Sequence, residues 1–381
     1  MELQPYLQLM VDKQASDLFF STGSRVNIKI EGVTTPLNQE PLAPGMAREL
    51  AYGILSDEQI NTFENELEMN LATTFEGIGR FRINVYKQRG DVAMVVRYIK
   101  SEIPTVEELQ LPAILKKLAL EPRGLVLLVG TTGSGKSTTL AAMTGFRNAS
   151  RTGHILTVED PVEYVHSHMK SVIDQREVGL DTLSYANALK NAMREAPDVI
   201  VIGEIRDAET MHQAVAYAET GHLCLSTLHA ANSYQAMERI VNFFPESSHR
   251  QLLSDLAMNV RAVVSQRLLV GKDGKRIPAV EVMLNTPYIA SLIEKGEFES
   301  IRDAIAKNET GGAISFDSAL LELYKNGQIS EQEALKNADS ESNLHVKIRL
   351  LEGANYAVEH RETLSMEDDK DEGDNGTVFG A

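Results

Sequence analysis

The chain has 381 residues, a length that exceeds one ordinary domain core and favours two domains with a tail. Its net charge of -17 would repel a phosphate backbone, so we expect no nucleic-acid partner. Its one cysteine, Cys224, excludes an internal disulfide and a cysteine-based zinc site and fits a reducing cytoplasm, and its short apolar runs argue against direct membrane insertion.

The first 98 residues carry the signals of a small α+β domain. The opening segment MELQPYLQLMVDKQ lacks the basic start and apolar core of a secretory signal, so we expect none, and its spacing predicts an amphipathic helix. Short β-rich segments follow up to residue 100, interrupted by one helical stretch over residues 43–68.

The second domain is predicted over residues 113–343, after a proline-containing linker over residues 99–112. In it, the apolar runs GLVLLVG, HILTVED, DVIVIGE and HLCLSTL alternate with helical stretches. This alternation predicts an α/β fold with a mostly parallel sheet and a site at the carboxyl ends of the strands. Residues 344–381 are acidic towards the end and lack a core pattern, so they are predicted to form a disordered tail; a docking role is the alternative.

The run GLVLLV leads into a glycine-rich loop and then into a helical stretch, the setting of a P-loop. Backbone N–H groups of such a loop surround a phosphate, a lysine reaches the β and γ phosphates, and a hydroxyl binds Mg²⁺. The loop therefore predicts ATP and Mg²⁺ as ligands. Its residues are Gly130, Thr131, Thr132, Gly133, Ser134, Gly135, Lys136, Ser137 and Thr138.

Carboxylates follow two of the later strands. The segment HILTVEDPVEY places Glu159, Asp160 and Glu163 at the carboxyl end of its strand, where a carboxylate could orient the water that attacks ATP; a solvated strand end is the alternative. Glu204 follows DVIVIG and is predicted to be the carboxylate on the Mg²⁺ side.

Two histidines and several arginines leave alternatives open. His222 and His229 bracket the strand HLCLSTL, and because further ligands for zinc are missing, they are either core histidines or sensors of the γ-phosphate. Arg82 and Arg97 lie on two neighbouring strand segments, together with Arg80 and Arg89, and form either a solvated basic face or arginine fingers for a neighbouring subunit.

Four segments resemble, in order, the Walker A, Asp, Walker B and His boxes of the type II/IV secretion ATPase superfamily. They are GTTGSGKSTTLAAM, ILTVEDPVEY, DVIVIGEIRDAET and TGHLCLSTLHAANS. The segments ASDLFFS, RFRIN, PRGLVLLVG and DQREVGLDT resemble the type IV pilus retraction (PilT/PilU) ATPases of twitching motility. The likeness covers about residues 3–335 and is strongest to the PilU subgroup.

The resemblance implies a PAS-like N-terminal domain joined to a RecA-like ATPase domain and a ring-shaped homo-hexamer. It assigns the Asp-box catalytic acid to Glu163 and the Walker B acid to Glu204. It also implies that His222 and His229 form the His-box pair and that Arg82 and Arg97 reach the nucleotide. Lys136 and Ser137 match the Walker A positions for phosphate and Mg²⁺.

The implied function is that of a cytoplasmic Mg-ATPase that assists pilus retraction. Its partners would be a PilT-like retraction motor and an inner-membrane platform protein, through which it associates peripherally with the membrane. Three departures from the pattern of the retraction motors stand out. They are YIASLIEKG at residues 288–296, where retraction motors carry an AIRNLI-like segment, Glu195-Ala196-Pro197-Asp198 before the Walker B strand, and an acidic extension beyond about residue 343 that is longer than in PilT-like chains. The first puts autonomous retraction in doubt.

The sequence leaves two alternative functions. One is a nucleotide-binding regulatory ring subunit without productive hydrolysis, against which the intact Lys136, Glu163 and Glu204 argue. The other is an assembly ATPase for pilus extension or type II secretion. Such ATPases usually carry a four-cysteine zinc module, which a chain with one cysteine cannot form.

Overall fold

The computed structural model describes residues 2–30, 32–99, 102–307 and 311–352. They fall into two compact units. Unit one comprises the described residues of Met1–Leu109, Ala113–Leu127 and Ser137–Leu228. Unit two comprises those of Gln110–Pro112, Leu128–Lys136 and His229–Ala381. The predicted domain limits at residues 98 and 112 stay a prediction.

A six-stranded antiparallel sheet forms the N-terminal part of unit one, in the order β3-β2-β1-β6-β5-β4. Its strands are β1 Asp17–Ser21, β2 Asn27–Ile30, β3 Val33–Pro36, β4 Glu68–Phe75, β5 Gly79–Gln88 and β6 Asp91–Ile99. Along β5, Phe81, Ile83 and Val85 are buried and alternate with polar residues, because one face of the sheet covers the core.

Three helices accompany this sheet: α1 Gln4–Asp12, α2 Met46–Tyr52 and α3 Asp57–Glu66. The single helical stretch predicted over residues 43–68 is therefore wrong. Ser56 interrupts it, because its extended backbone starts a new helix and its hydroxyl accepts from the Gln59 N–H. The Gln59 side chain in turn accepts from the Ser56 N–H, which completes a capping box.

A second sheet of seven strands has the order β13-β12-β7-β11-β10-β8-β9. The strands are β7 Gly124–Val129, β8 Gly153–Glu159, β9 Ser171–Glu177, β10 Val199–Ile202, β11 Leu223–Leu228, β12 Val260–Val270 and β13 Arg276–Leu284. Strands β8, β9, β10 and β11 pair in parallel within unit one, whereas β12 and β13 form an antiparallel pair in unit two. The predicted α/β class with a mostly parallel sheet is confirmed.

The helices of this part alternate with the strands or follow them. They are α4 Ile114–Ala119, α5 Lys136–Ser150, α6 Tyr185–Ala192, α7 Ala208–Glu219, α8 Ser233–Asn242, α9 Glu246–Asn259, α10 Pro287–Lys295, α11 Glu299–Lys307, α12 Phe316–Lys325 and α13 Glu331–Lys336, with a short 3₁₀ helix at Met193–Glu195. None of the described helices combines the length and the apolar composition that crossing a bilayer requires.

The end of the described chain corrects the predicted start of the tail. Residues 341–352 are helical, and Leu344 and Ile348 are fully buried against Phe316 and Leu320. These leucine and isoleucine side chains lie one turn apart on one helix face, so they extend the core of unit two. The rest of the predicted tail, residues 353–381, lies outside the described residues.

Glu281 on β13 is a buried carboxylate in unit two, 3% exposed. Its Oε1 accepts from the Ser233 N–H at 2.9 Å, from Ser233 Oγ at 2.6 Å and from Ser265 Oγ at 2.9 Å. Burial raises the pKa of Glu281 in spite of these donors. The network ties the first turn of α8 to β12 and β13.

Replacing Glu281 by alanine is expected to lower the free energy of unfolding by about 3 kcal/mol, because it leaves buried donors unpaired. Glu281→Gln keeps an acceptor and should cost about 1 kcal/mol. Because the folded-state pKa of this acid is raised, its contribution to stability is fully present below the unfolded pKa and is lost as pH rises through the folded pKa.

Urea unfolding of wild type and Glu281→Gln at a series of pH values from about 5 to 8 measures this loss. The difference in stability between the two proteins should shrink as pH rises. A constant difference across the series would show that the Glu281 carboxyl is not the group responsible.

Candidate active site

The loop after β7 has no room for side chains at two of its glycines. A Cβ at Gly130 would lie 2.3 Å from Ser134 Oγ and 2.6 Å from the Gln266 carbonyl oxygen. A Cβ at Gly135 would lie 2.7 Å from Gln266 Nε2, and φ there is +91°. Gly133 has φ of +77° but borders open space. Glycine therefore permits the tight, partly left-handed path of a phosphate cradle.

Lys136 begins α5 and turns its side chain back into the loop. Its Nζ donates to the carbonyl oxygens of Gly130 and Thr131, each at 2.9 Å, and the residue is 8% exposed. The amino end of α5 adds partial positive charge at the same place. The loop thus holds a buried ammonium group where an anion would enter.

Ser134 also fits a phosphate ligand. Its Oγ is buried and has no hydrogen-bond partner among the described residues. A buried unpaired hydroxyl costs about 1–3 kcal/mol, which a ligand oxygen that accepts from it would offset. The glycine path, the ammonium group of Lys136 and this hydroxyl together fit a nucleoside polyphosphate.

The remaining loop residues differ in their exposure to solvent. Thr131 and Thr132 are exposed, and Ser137 and Thr138 are half-buried. The hydroxyl groups of Thr138 and Tyr164 are 3.0 Å apart, so within unit one the start of α5 contacts the segment that follows β8. Binding roles for these residues stay predictions.

The acids after β8 have different environments. Glu159 accepts from Thr157 Oγ1 at 2.7 Å and from Gln175 Nε2 at 3.2 Å, and burial raises the pKa of its carboxyl. Gln175 Nε2 also donates to the Tyr164 carbonyl at 2.9 Å, so Glu159 and Gln175 fix the course of this segment. Glu163 is exposed and accessible to a ligand from solvent.

Glu204 lies two residues beyond the end of β10. Arg206 Nε donates to Glu204 Oε2 at 2.6 Å, and Arg206 Nη1 lies 3.4 Å from Asp160 Oδ2. This hydrogen bond to Glu204 raises the pKa of Arg206. Strands β8 and β10 are parallel neighbours, so their carboxyl ends bring Asp160 and Glu204 close enough to share Arg206.

Sequence reasoning missed Arg206 and Tyr185. Burial raises the pKa of Tyr185, and the negative charges of Asp160, Glu159 and Glu204 act in the same direction. Arg206 could have been found from its position next to an acidic strand end. Tyr185, the first residue of α6, carries no local signal that connects it to these acids.

The two histidines lie at the two ends of β11, as predicted. His222 precedes the strand, and its carbonyl oxygen accepts from the N–H of Gly124, the first residue of β7. Its Nδ1 contacts the Tyr217 carbonyl at 3.3 Å and Thr220 Oγ1 at 3.2 Å. The structure therefore does not bring His222 to the acids at the opposite ends of these strands. His229 follows the carboxyl end of β11.

Arg82 and Arg97 are directly opposite each other on β5 and β6. Arg97 Nε donates to Asp17 Oδ1 at 2.8 Å, and Arg82 Nη1 lies 4.0 Å from Glu177 Oε1. Glu177 is 2% exposed and also accepts from the Val162 N–H at 3.2 Å. Burial raises the pKa of Glu177, while that N–H and the charge of Arg82 oppose the rise. Both arginines have carboxylate partners within the chain, and their contact with a nucleotide stays a prediction.

Comparison with known proteins agrees with this arrangement. The chain is 49% identical to the type IV pilus ATPase PilU of Pseudomonas aeruginosa, over 96% of each chain. It is 38% identical to the type IV pilus retraction ATPase PilT of the same organism, over 89% of this chain and 98% of that protein.

A solved structure and a family model extend the comparison. The crystal structure of the pilus retraction motor PilT with bound ADP has a TM-score of 0.84 and 36% identity, covering 91% of this chain and 99% of that one. The predicted resemblance to the PilT/PilU ATPases is confirmed. Residues 2–296 match the family model of type II/IV secretion system proteins. The chain therefore belongs to the type II/IV secretion system protein family and is one of its ATPases.

Proposed function

We propose that the chain is a Mg²⁺-dependent ATPase of the type IV pilus machine, an accessory motor for pilus retraction and twitching motility. The observation that carries this proposal is the 49% identity with PilU over 96% of both chains. The glycine cradle with its buried Lys136 supports ATP as the ligand.

The proposed roles follow from the chemistry of each side chain. The loop N–H groups and Lys136 bind the phosphates, and Ser137 and Glu204 hold Mg²⁺, which supplies charge neutralisation on the phosphate oxygens when it is bound. Glu163 orients the attacking water.

The basic side chains have proposed roles as well. Arg82 and Arg97 reach the phosphates of the nucleotide, and His229 senses the γ-phosphate. His222, whose contacts are with the end of α7, acts by holding the start of β11 in place.

The proposed assembly follows from the family resemblance. The chain forms a homo-hexamer in the cytoplasm, works beside a PilT-like motor and associates with the inner membrane through the pilus platform protein. Its acidic net charge disfavours a nucleic-acid partner.

The segment YIASLIEKG supports the accessory role. It forms most of α10, in which Ile289, Leu292 and Ile293 are buried and Tyr288 is 60% exposed. The apolar residues that this segment shares with AIRNLI thus serve the core. Ala290 and Ser291 stand where retraction motors carry Arg and Asn, so the guanidinium and amide groups of that segment are missing at these two positions.

A retraction assay tests the proposal in cells that carry this protein alone, the PilT-like motor alone, or both. The expected result is no retraction with this protein alone and stronger retraction with both than with the PilT-like motor alone. Retraction by this protein alone would overturn the accessory role. Absence of Mg²⁺-dependent ATP turnover by the purified protein would overturn the ATPase role and favour the regulatory ring subunit.

A further inference from the structure

Arg206 connects the two acidic strand ends of unit one. Its Nε donates to Glu204 Oε2 at 2.6 Å, and its Nη1 lies 3.4 Å from Asp160 Oδ2. The Glu204 side chain is 18% exposed and that of Asp160 35%, whereas the Arg206 side chain is 55% exposed. The guanidinium group therefore reaches the carboxylates from the solvent side.

The surroundings of these groups are crowded and mostly acidic. A Cβ on Gly203 would lie 3.1 Å from the Tyr185 hydroxyl and 3.2 Å from the Cα of Glu159, so the turn between β10 and Glu204 packs closely against β8. Carboxylates from neighbouring strands repel one another unless a cation lies between them. Arg206 supplies that positive charge from the same turn that carries Glu204.

We propose that Arg206 is a positioning residue that holds the Glu204 and Asp160 carboxylates together and competes with Mg²⁺ for Glu204. The proposal rests on the proposed function, in which Glu204 holds Mg²⁺. A fork of N–H donors can bind two carboxylates at fixed geometry, and an exposed arginine can leave them at small cost. The acidic pair is thereby kept in place before nucleotide binds.

Removing the positive charge of Arg206 should strengthen Mg²⁺ binding and lower the thermal stability of the protein without ligand. Arg206→Gln is expected to lower the Mg²⁺ concentration for half-maximal binding by about fivefold, because one competing charge close to Glu204 is lost. In the presence of a chelator and without nucleotide, the melting temperature should fall by about 2 °C. Mg²⁺ with ADP should raise it more in the variant than in wild type.

The measurement is made on the full-length chain and does not depend on ATP hydrolysis. Mg²⁺ is titrated into protein mixed with a fluorescent ADP analogue, and polarisation reports the bound fraction. Arg302→Gln is the matched control, because the Arg302 side chain is similarly exposed, at 56%, and its Nε has a long contact of 3.8 Å with Oδ1 of the adjacent Asp303. It should change neither the half-saturating Mg²⁺ concentration nor the effect of Mg²⁺ on melting.

An unchanged or higher Mg²⁺ requirement in Arg206→Gln would overturn the proposal. If that variant does not fold, Arg206→Lys decides, since a lysine keeps the charge but contacts one carboxylate; a decrease of about twofold supports the proposal and no change overturns it. Wild type that binds ADP with Mg²⁺ but hydrolyses no ATP would refute the proposed function and leave this inference standing. A wild type that hydrolyses ATP, together with an Arg206→Gln variant whose Mg²⁺ titration is unaltered, would leave the proposed function standing and refute this inference.

Discussion

Replacing Lys136 by alanine is expected to lower the rate of ATP hydrolysis by about a hundred- to a thousandfold. The ammonium group already lies inside the loop, where it donates hydrogen bonds to the carbonyl oxygens of Gly130 and Thr131, so it needs little reorganisation to bind phosphate. Its loss removes a positive charge that the transferring phosphoryl group requires. Steady-state phosphate release measures the rate, and a fluorescent nucleotide measures binding.

The Lys136→Ala variant also loses two hydrogen bonds, so a fall in activity could reflect a damaged loop. The melting temperature separates the two causes, because the loop contacts contribute little to the free energy of unfolding compared with the core. Lys117→Ala is the control, since Lys117 is an exposed lysine at the end of α4. Turnover by Lys136→Ala within tenfold of wild type would contradict the role given to this side chain.

The strands of the second sheet could be predicted where both of their faces are covered. Every residue of β7 and β11 is buried, which produces the continuous apolar runs in the sequence. Strand β9 lies at the edge of the sheet and exposes Val172 and Asp174, so its sequence has no such run. The sequence did not predict the helix of residues 341–352, because its two buried side chains, Leu344 and Ile348, occur just before an acidic segment.

The glycine-rich loop could be predicted because its chemistry is local in sequence. Lys136 and the glycines around it act within one short segment, and parallel strand order explains the acids of β8 and β10. The contacts that hold the site together are tertiary and leave no sequence pattern. Gln266 packs against the loop from β12, and the hydroxyl group of Tyr185, on α6, lies beside Gly203, the residue before Glu204.

Gly135→Ala should weaken nucleotide binding by about a hundredfold. Alanine is strained at the φ of +91°, and its Cβ would lie 2.7 Å from Gln266 Nε2. A loop that relaxes away from this clash would have to return to the strained path in order to surround phosphate. Gly133→Ala is the control for backbone strain alone, because φ is +77° there and no atom lies within 4 Å.

The double variant Gly135→Ala with Gln266→Ala tests whether the contact with Gln266 causes the excess loss. Truncating Gln266 empties the space that the new methyl group needs, so the second substitution should restore binding by about tenfold relative to Gly135→Ala alone. Gln266→Ala paired with Gly133→Ala should restore nothing, since Gly133 borders open space. Strictly additive losses in the first pair would mean that the left-handed backbone, and not the packing of β12 against the loop, requires glycine at this position.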